Sequence, residues 1–196
     1  LLGISGQSGV LKSTAAATAV AEALTDSSYD GVYLNITPSA ENGDALAAFV
    51  QALRAAVPEK KLYVAASAPA RREAIPDYQA LGKAADRIVL QVSGHEDTDG
   101  AVPVYAMEPL ETVYYALSAL NDQIPGEKLA LLLRAEGHGR KGTGKPTAFS
   151  GDTVAALEAK GRTYYSDRYA CAYLETKDTV VWYLNEKALE ARQQLL

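Results

Sequence analysis

The stretch Tyr29–Thr37 (YDGVYLNIT) predicts a strand, Gly31–Ile36, set between two helices. An alanine-rich helix is predicted before it, from Lys12 to Leu24. After it, apolar residues recur at helical spacing until Pro58 ends the pattern. Those apolar residues are Leu46, Phe49, Val50, Leu53 and Val57. The stretch therefore lies inside a repeating unit of strand and helix.

The same alternation runs through most of the chain. Further strands are predicted at Leu1–Ile4, Leu62–Ala66, Arg87–Val92 and Leu129–Leu133, and a further helix at Pro109–Leu120. Ile88–Leu90 and Leu129–Leu133 are apolar throughout, which is typical of parallel strands covered on both faces. We predict an α/β fold that is either a doubly wound open sheet or part of a TIM-type barrel. In both, functional residues follow the carboxyl ends of the strands.

The character of the sequence changes after Gly137. Residues Gly139–Lys145 predict a loop rich in glycine and lysine, and a helix is predicted near Asp152–Lys160. Short tyrosine-rich strands are expected around Tyr164, Tyr165, Tyr169, Tyr173 and Val180–Tyr183, and a last helix from Glu186. We expect one segment over residues 1–196, in which 139–183 form a loop and a small β insertion.

Composition and charge exclude several classes of function. The 196 residues are 48% hydrophobic and carry a net charge of −5, with no basic run longer than a doublet. A nucleic acid or an anionic membrane surface is therefore not an expected partner. No apolar stretch approaches the roughly 20 residues of a membrane span. The single Cys171 has no internal disulfide partner.

Both ends of the sequence suggest a piece of a longer protein. Leu1 opens the chain inside an apolar run, and Ala191–Leu196 continues a helical pattern without a stop signal.

Two glycine-rich motifs resemble nucleotide-binding loops. Gly6–Thr14 follows a strand and opens a helix, but Leu11 stands where the motif needs glycine before Lys12. In Gly139–Pro146, Pro146 replaces the hydroxyl residue that binds magnesium. We expect no cofactor, and nucleotide binding remains an alternative that ATP binding would revive.

The polar segment Ser93–Gly100 combines His95 with three carboxylates. Such groups can hold a divalent ion, but their spacing matches no standard metal loop. His138 has no cysteine or histidine near it in sequence. We expect a solvated loop and no metal site.

Around Tyr29–Thr37 the sequence resembles the fourth barrel strand of family 18 glycoside hydrolases, the chitinase-like and spore-germination-type enzymes. That strand reads Asp-Gly-x-Asp-x-Asp-x-Glu after an aromatic residue. The order of the surrounding segments agrees with strands three to seven and with the segment before strand eight. The matching segments are Leu2–Gly6, Leu62–Ala66, Ala85–Gln91, Met107–Leu110, Ile124–Leu131 and Val181–Tyr183. The resemblance implies an incomplete TIM-type barrel that lacks strands one, two and eight.

This sequence departs from the family at the positions that carry its chemistry. Tyr33, Asn35 and Thr37 stand where the family has its three acids, and a threonine hydroxyl cannot serve as general acid. Gln91-Val92-Ser93-Gly94 replaces Met-x-Tyr-Asp, and Glu136 replaces a tyrosine. The resemblance implies a barrel without a catalytic residue at the family positions. Candidate ligand-binding residues are Tyr33, Asn35, Thr37, Gln91, Ser93 and Glu136.

Relocated carboxylates are the alternative. Glu136, Glu96 and Glu41 are expected at the same barrel mouth, where a new pair of acids could support hydrolysis. We therefore expect a noncatalytic module that binds a cell-wall or chitin-type glycan or acts as a scaffold. The alternative is an active hydrolase of N-acetylglucosamine-containing glycans that uses Glu136 or Glu96. By resemblance alone, the expected location is extracellular or at the cell surface.

Overall fold

The computed structural model describes residues 1–7, 9, 11, 14–37, 43–68 and 77–196. The chain forms two compact units. The first comprises residues Leu1–Gln91 and Ser118–Leu132, and the second comprises Val92–Leu117 and Leu133–Leu196. No helix of the described part is long and apolar enough to cross a membrane.

The first unit is built on a five-stranded parallel sheet. Its strands lie in the order β1 (Leu2–Gln7), β2 (Gly31–Thr37), β3 (Lys61–Ser67), β4 (Arg87–Gln91) and β7 (Leu129–Leu131). Its helices are α1 (Thr14–Thr25), α2 (Gly43–Ala56) and α3 (Tyr78–Ala84), and the unit boundary falls within α4 (Leu110–Leu120). The predicted α/β fold of parallel units is confirmed. In the described part, β1 and β7 are edges and the sheet does not close into a barrel.

The two faces of this sheet differ. Side chains at alternate positions are buried, among them Val32, Leu34, Leu62, Ile88 and Leu90. The side chains between them, such as Tyr33, Asn35, Val89 and Gln91, are only half-buried. The apolar runs Ile88–Leu90 and Leu129–Leu133 predicted cover on both faces. This is wrong for Val89 and for Leu129–Leu131, which are half-buried. An open sheet leaves its inner face partly accessible because no opposite strand packs against it.

Close approach of neighbouring strands explains why position 31, in the stretch Tyr29–Thr37, is a glycine. Gly31 is paired with Lys61, and a Cβ at position 31 would overlap the Lys61 carbonyl oxygen. Only glycine lets β2 and β3 pair at this point.

A charged clamp fixes the amino ends of β3 and β4 to α2. The Asp86 carboxylate accepts hydrogen bonds from Arg54 at 2.6 Å and from the Leu62 amide at 2.8 Å. Arg54 also donates to the carbonyl of Ala84 at 2.9 Å. Burial alone would raise the pKa of Asp86, but the hydrogen bonds from Leu62 and Arg54, together with the charges of Arg54 and Lys61, outweigh burial and hold the pKa below its usual range.

The second unit contains a five-stranded antiparallel sheet and a separate hairpin. The sheet order is β10 (Arg162–Ser166), β11 (Cys171–Glu175), β12 (Thr179–Tyr183), β8 (Gly137–Lys141) and β9 (Thr147–Phe149), and the hairpin joins β5 (His95–Asp97) to β6 (Val104–Ala106). Helices α5 (Gly151–Glu158) and α6 (Glu186–Gln193) belong to this unit. One core cluster joins Val154 of α5 to Leu174 and Val181. A second joins Tyr105 of the hairpin to Cys171 and Trp182.

Several local predictions are wrong in this unit. The predicted loop Gly139–Lys145 begins as strand β8, and its turn carries Gly142 at φ +57°. Gly139 has no room for a Cβ against the Val180 carbonyl, so this glycine serves strand pairing rather than a loop. The predicted loop Ser93–Gly100 contains strand β5. Tyr169 lies in the turn between β10 and β11 and not in a strand.

Candidate functional site

Polar side chains of the first unit meet on the inner face of the sheet, near the carboxyl ends of β2 and β4. Asn35 and Gln91 are both half-buried, and the Gln91 Nε2 donates to the Asn35 Oδ1 at 3.3 Å. Strand β3 lies between them, and its residue on this face, Ala65, is small enough to leave the amides in reach. The structure thus brings together two of the predicted ligand-binding residues, and we call them the amide pair.

Tyr33 lies two residues before Asn35 and therefore faces the same way. Its hydroxyl is buried and has no hydrogen-bond partner among the described residues. A buried hydroxyl without a partner is destabilising by about 1–3 kcal/mol, so such groups usually meet water or a ligand.

Some predicted residues lie wholly or partly outside the description. Thr37 ends β2 in register with Gln7, but its side chain is not among the described ones. Glu41 and, in the nucleotide-loop motif, Ser8, Val10, Lys12 and Ser13 lie outside the described residues.

The remaining predicted residues belong to the second unit. Ser93 and Glu136 are exposed in the irregular segments before β5 and β8. Glu96 is in β5, and its carboxylate lies 3.2 Å from Nε2 of His138 with 58% of the side chain exposed. The neighbour of Glu96 is therefore an imidazole and not a second carboxylate. Among the described residues, no group of three or more histidine, cysteine, aspartate or glutamate side chains could hold a metal ion.

Glu96 and His138 line a cavity of the second unit, which we call the hairpin pocket. It has a volume of about 390 Å³. Its lining includes His95, Glu96, Tyr105, Met107, Arg134 and His138. The ring of Tyr105 meets that of His138 edge-on, with centroids 5.8 Å apart.

An ion pair that the sequence analysis missed, between a buried carboxylate and a partly exposed guanidinium, lies beside this pocket. Glu108 is 2% exposed, and its Oε1 accepts from Arg134 Nε at 2.6 Å. Burial raises the pKa of Glu108, and the charge and hydrogen bond of Arg134 only partly oppose this. The signal in the sequence was a single acidic residue in the otherwise apolar run Val104–Leu110.

Arg192 of α6 holds this segment in an unusual backbone conformation. The side chain is fully buried and donates to the carbonyl oxygens of Glu108 at 2.6 Å and Ala170 at 2.7 Å. Both acceptors have positive φ, +38° for Glu108 and +49° for Ala170. Left-handed non-glycine residues persist where surrounding contacts over-determine them, and they cluster at functional sites.

The fold is that of known proteins, although neither a protein-family model nor a curated protein matches this chain. The structure of ydhD from Bacillus subtilis, described as a sporulation-specific glycosylase, superposes with a TM-score of 0.80 at 17% identity, over 100% of this chain and 76% of that one. The spore cortex-lytic enzyme SleL of Bacillus cereus gives a TM-score of 0.77 at 15% identity, over 98% of this chain and 52% of SleL. A family 18 chitinase from Cycas revoluta, solved with (GlcNAc)3, gives a TM-score of 0.76 at 14% identity, over 96% of this chain and 68% of the chitinase.

The chain thus spans about half the length of SleL and about two thirds of the Cycas chitinase. At these identities the likeness shows the fold alone, which is similar to the TIM-type barrel of these structures, with a sheet that does not close among the described residues.

Proposed function

We propose that this chain is a noncatalytic module that binds an N-acetylglucosamine-containing glycan of the chitin or cell-wall type. The observation that carries the proposal is the set of residues at the family's acidic positions, which are Tyr33, Asn35 and Thr37. The likeness to chitinase-like structures, one of them solved with (GlcNAc)3, supports the choice of ligand.

The loss of the acids removes the chemistry but not the means of binding. Hydrolysis in this family needs a glutamic acid to protonate the glycosidic oxygen and an aspartate to orient the substrate's acetamido group. Thr37 stands at the position of the glutamic acid, and its hydroxyl cannot deliver a proton near neutral pH. Asn35 stands at the position of an aspartate and carries no negative charge. Bond cleavage by the family mechanism therefore has no proton donor at these positions.

The inner face of the first sheet retains groups that suit a sugar. An amide both donates and accepts, as hydroxyl and acetamido groups require. Among the described residues, the amide pair satisfies only part of its own hydrogen-bonding capacity and the Tyr33 hydroxyl has no partner. A bound sugar would complete these hydrogen bonds, because its hydroxyls can serve as donor and as acceptor.

A second candidate function is hydrolysis through relocated carboxylates. Its favourable observation is that Glu96 borders the hairpin pocket beside His138. Against it, a two-carboxylate mechanism needs a proton donor and a second acid at a defined separation. The described carboxyl whose pKa burial raises is Glu108, and Arg134 already occupies one of its oxygens.

The setting of the proposed activity is extracellular or at the cell surface, on the strength of the family likeness. Its glycan partner belongs to that setting, and no nucleic acid is proposed.

Calorimetric titration of the full chain with chitotriose tests the proposal. We expect Asn35→Ala and Gln91→Ala to weaken binding roughly three- to tenfold, the effect of losing one or two hydrogen bonds. The matched control is Asn121→Ala, which removes an exposed amide of the same unit that lies away from the amide pair. Equal affinity in the wild type and the three variants would exclude the inner face as the binding site. If none of the four proteins binds chitotriose, the glycan-binding proposal fails and the scaffold role is what remains.

A further inference from the structure

Three aromatic side chains form a ladder across neighbouring strands of the antiparallel sheet. Tyr164 of β10 lies opposite Tyr173 of β11, which lies opposite Trp182 of β12. Neighbouring rings are nearly parallel, at 18° in both pairs, and their centroids are 5.0 Å and 4.6 Å apart. One end of the ladder is closed, because Trp182 is 3% exposed and its Nε1 donates to the Pro103 carbonyl at 2.9 Å. The other end is Tyr164, which is 39% exposed.

Strand β10, which carries this open end, is an edge of its sheet. It is hydrogen-bonded to β11 on one side, and no described strand lies on its other side. Its sequence, RTYYS, contains neither the lysine nor the proline with which proteins often protect an exposed edge. Its one charged residue, Arg162, stands at its first position. The middle of the edge is therefore open to a further strand.

The hydrogen-bonding pattern shows which backbone groups point to this open edge. Just beyond β11, the Thr176 amide donates to the Thr179 carbonyl at 2.9 Å. Alternate residues of an antiparallel strand bond to opposite neighbours, so even-numbered residues of β11 bond to β12 and odd-numbered ones to β10. By the register of the two strands, Tyr164 directs its amide and carbonyl to β11. The amides and carbonyls of Thr163 and Tyr165 point to the open edge.

This edge is complementary to a second copy of itself. In an antiparallel pair with its twofold axis at Tyr164, Thr163 of one copy exchanges both backbone hydrogen bonds with Tyr165 of the other. Tyr164 then faces its own counterpart in a non-hydrogen-bonded pair, where the Cα atoms are about 4.5 Å apart and the side chains are closest. The two aromatic ladders meet ring to ring at the axis. Arg162 lies opposite Ser166, so no like charges face each other.

We propose that the open edge of β10 is a homodimer interface, at which two copies of this chain pair antiparallel about Tyr164. A twofold contact uses the same surface on both copies, and this edge meets that condition in its hydrogen bonds, its rings and its charges. Two five-residue strands bury less than the roughly 1,600 Å² of a standard interface. We therefore expect a reversible dimer with a dissociation constant in the micromolar to millimolar range. The interface is independent of the proposed glycan binding.

Sedimentation velocity of the full chain over a concentration series tests the dimer. Tyr164→Glu removes the ring and brings two carboxylates together at the axis, so its dimer dissociation constant should rise at least about tenfold. An equimolar mixture of Tyr164→Glu and Tyr164→Lys should restore dimers, because opposite charges then face each other. The matched control is Tyr115→Glu, which makes the same change at an exposed tyrosine of α4 and should dimerise as the wild type does.

Oxidative cross-linking tests the register independently of affinity. Tyr164→Cys should form a disulfide between two copies, because a Cα separation of about 4.5 Å lies within the range that disulfides span. Arg162→Cys should not, because position 162 lies opposite position 166 and its two copies are therefore roughly 14 Å apart. The native Cys171 is buried and is common to both variants.

Three results would overturn the proposal. A chain that stays monomeric up to about 1 mM would exclude a second copy as the occupant of this edge. Association that Tyr164→Glu leaves unchanged would arise from another surface of the molecule. A disulfide that forms in Arg162→Cys but not in Tyr164→Cys would contradict the twofold axis at Tyr164.

Discussion

At the scale of the single residue, the buried hydroxyl of Tyr33 tests whether the inner face binds a ligand. Because the hydroxyl has no partner in the described part of the chain, Tyr33→Phe removes an unsatisfied polar atom and keeps the ring. We expect the free energy of unfolding to stay the same or rise by up to about 1 kcal/mol, while chitotriose binding weakens.

Urea denaturation and calorimetric titration measure the two effects of Tyr33→Phe. Tyr115→Phe, at a side chain that is 62% exposed, is the control and should change neither. A clear loss of stability in Tyr33→Phe would mean that the hydroxyl has a structural partner, and the ligand argument for it would fail.

The sequence indicated which side chains share the inner face of the sheet, and it missed other contacts for a physical reason. Tyr33, Asn35 and Gln91 were accessible to prediction because alternation along a strand fixes which side chains share a face. Glu108, Arg134 and Arg192 were not, since their meeting depends on tertiary packing between segments 26 and 84 residues apart. No local period records such a contact.

At the scale of the element, the Arg54–Asp86 clamp joins α2 to the sheet and makes stability depend on pH. The folded pKa of Asp86 lies below the usual aspartate value of 3.8, so its contribution to stability is present above that value and is lost as pH falls through the folded pKa. Asp86→Asn should lower the free energy of unfolding at pH 7 by about 1 kcal/mol, a figure discounted because the side chain is partly exposed.

Urea denaturation at pH 7 and pH 3 checks this prediction. The difference between wild type and Asp86→Asn should shrink at the lower pH. Asp122→Asn, at an exposed position after α4, serves as the control. If the free energies of unfolding of the wild type and Asp86→Asn differed by the same amount at both pH values, the ionised Asp86 carboxylate would not be the source of the difference.

Helix α6 depends on its buried arginine. Arg192→Leu removes the donor that satisfies the carbonyls of Glu108 and Ala170, both at positive φ, and leaves them buried. We expect a loss of more than about 3 kcal/mol, measured as a large fall in the melting temperature or loss of the folded state. Gln193→Leu, on the exposed side of the same helix, should melt within a few degrees of the wild type.

The elements that the sequence missed lacked a periodic signal. Strand β5 consists of His95, Glu96 and Asp97, all exposed, so no alternation of apolar and polar residues marks it. Strand β8 is rich in glycine because β12 approaches it closely at Gly139, and the same glycines predicted a loop. The parallel strands of the first unit were predictable because their buried positions are strongly apolar.

At the scale of the whole molecule, the open sheet of the first unit predicts association. Strands β1 and β7 are edges in the described part, and unpaired edges offer hydrogen-bonding groups to another chain. We expect these 196 residues, expressed alone, to self-associate in light scattering coupled to size exclusion. A monomer that melts cooperatively would contradict the open-barrel interpretation.

The parallel α/β fold was predictable from the sequence, but the division of the chain into two compact units was not. The strand order and the likeness to family 18 barrels follow from short segments in the right succession. The antiparallel sheet of the second unit is assembled from β8, β9 and three later strands. The tyrosine-rich stretch predicted three of these five strands and gave no sign of the other two.

The most direct test of the central claim, binding without cleavage, is mass-spectrometric detection of sugars released from chitin oligomers and peptidoglycan by the 196-residue chain. The account predicts no release above background at high protein concentration, together with chitotriose binding. Clear release that Glu136→Gln or Glu96→Gln abolishes would contradict it and establish hydrolysis by a relocated carboxylate.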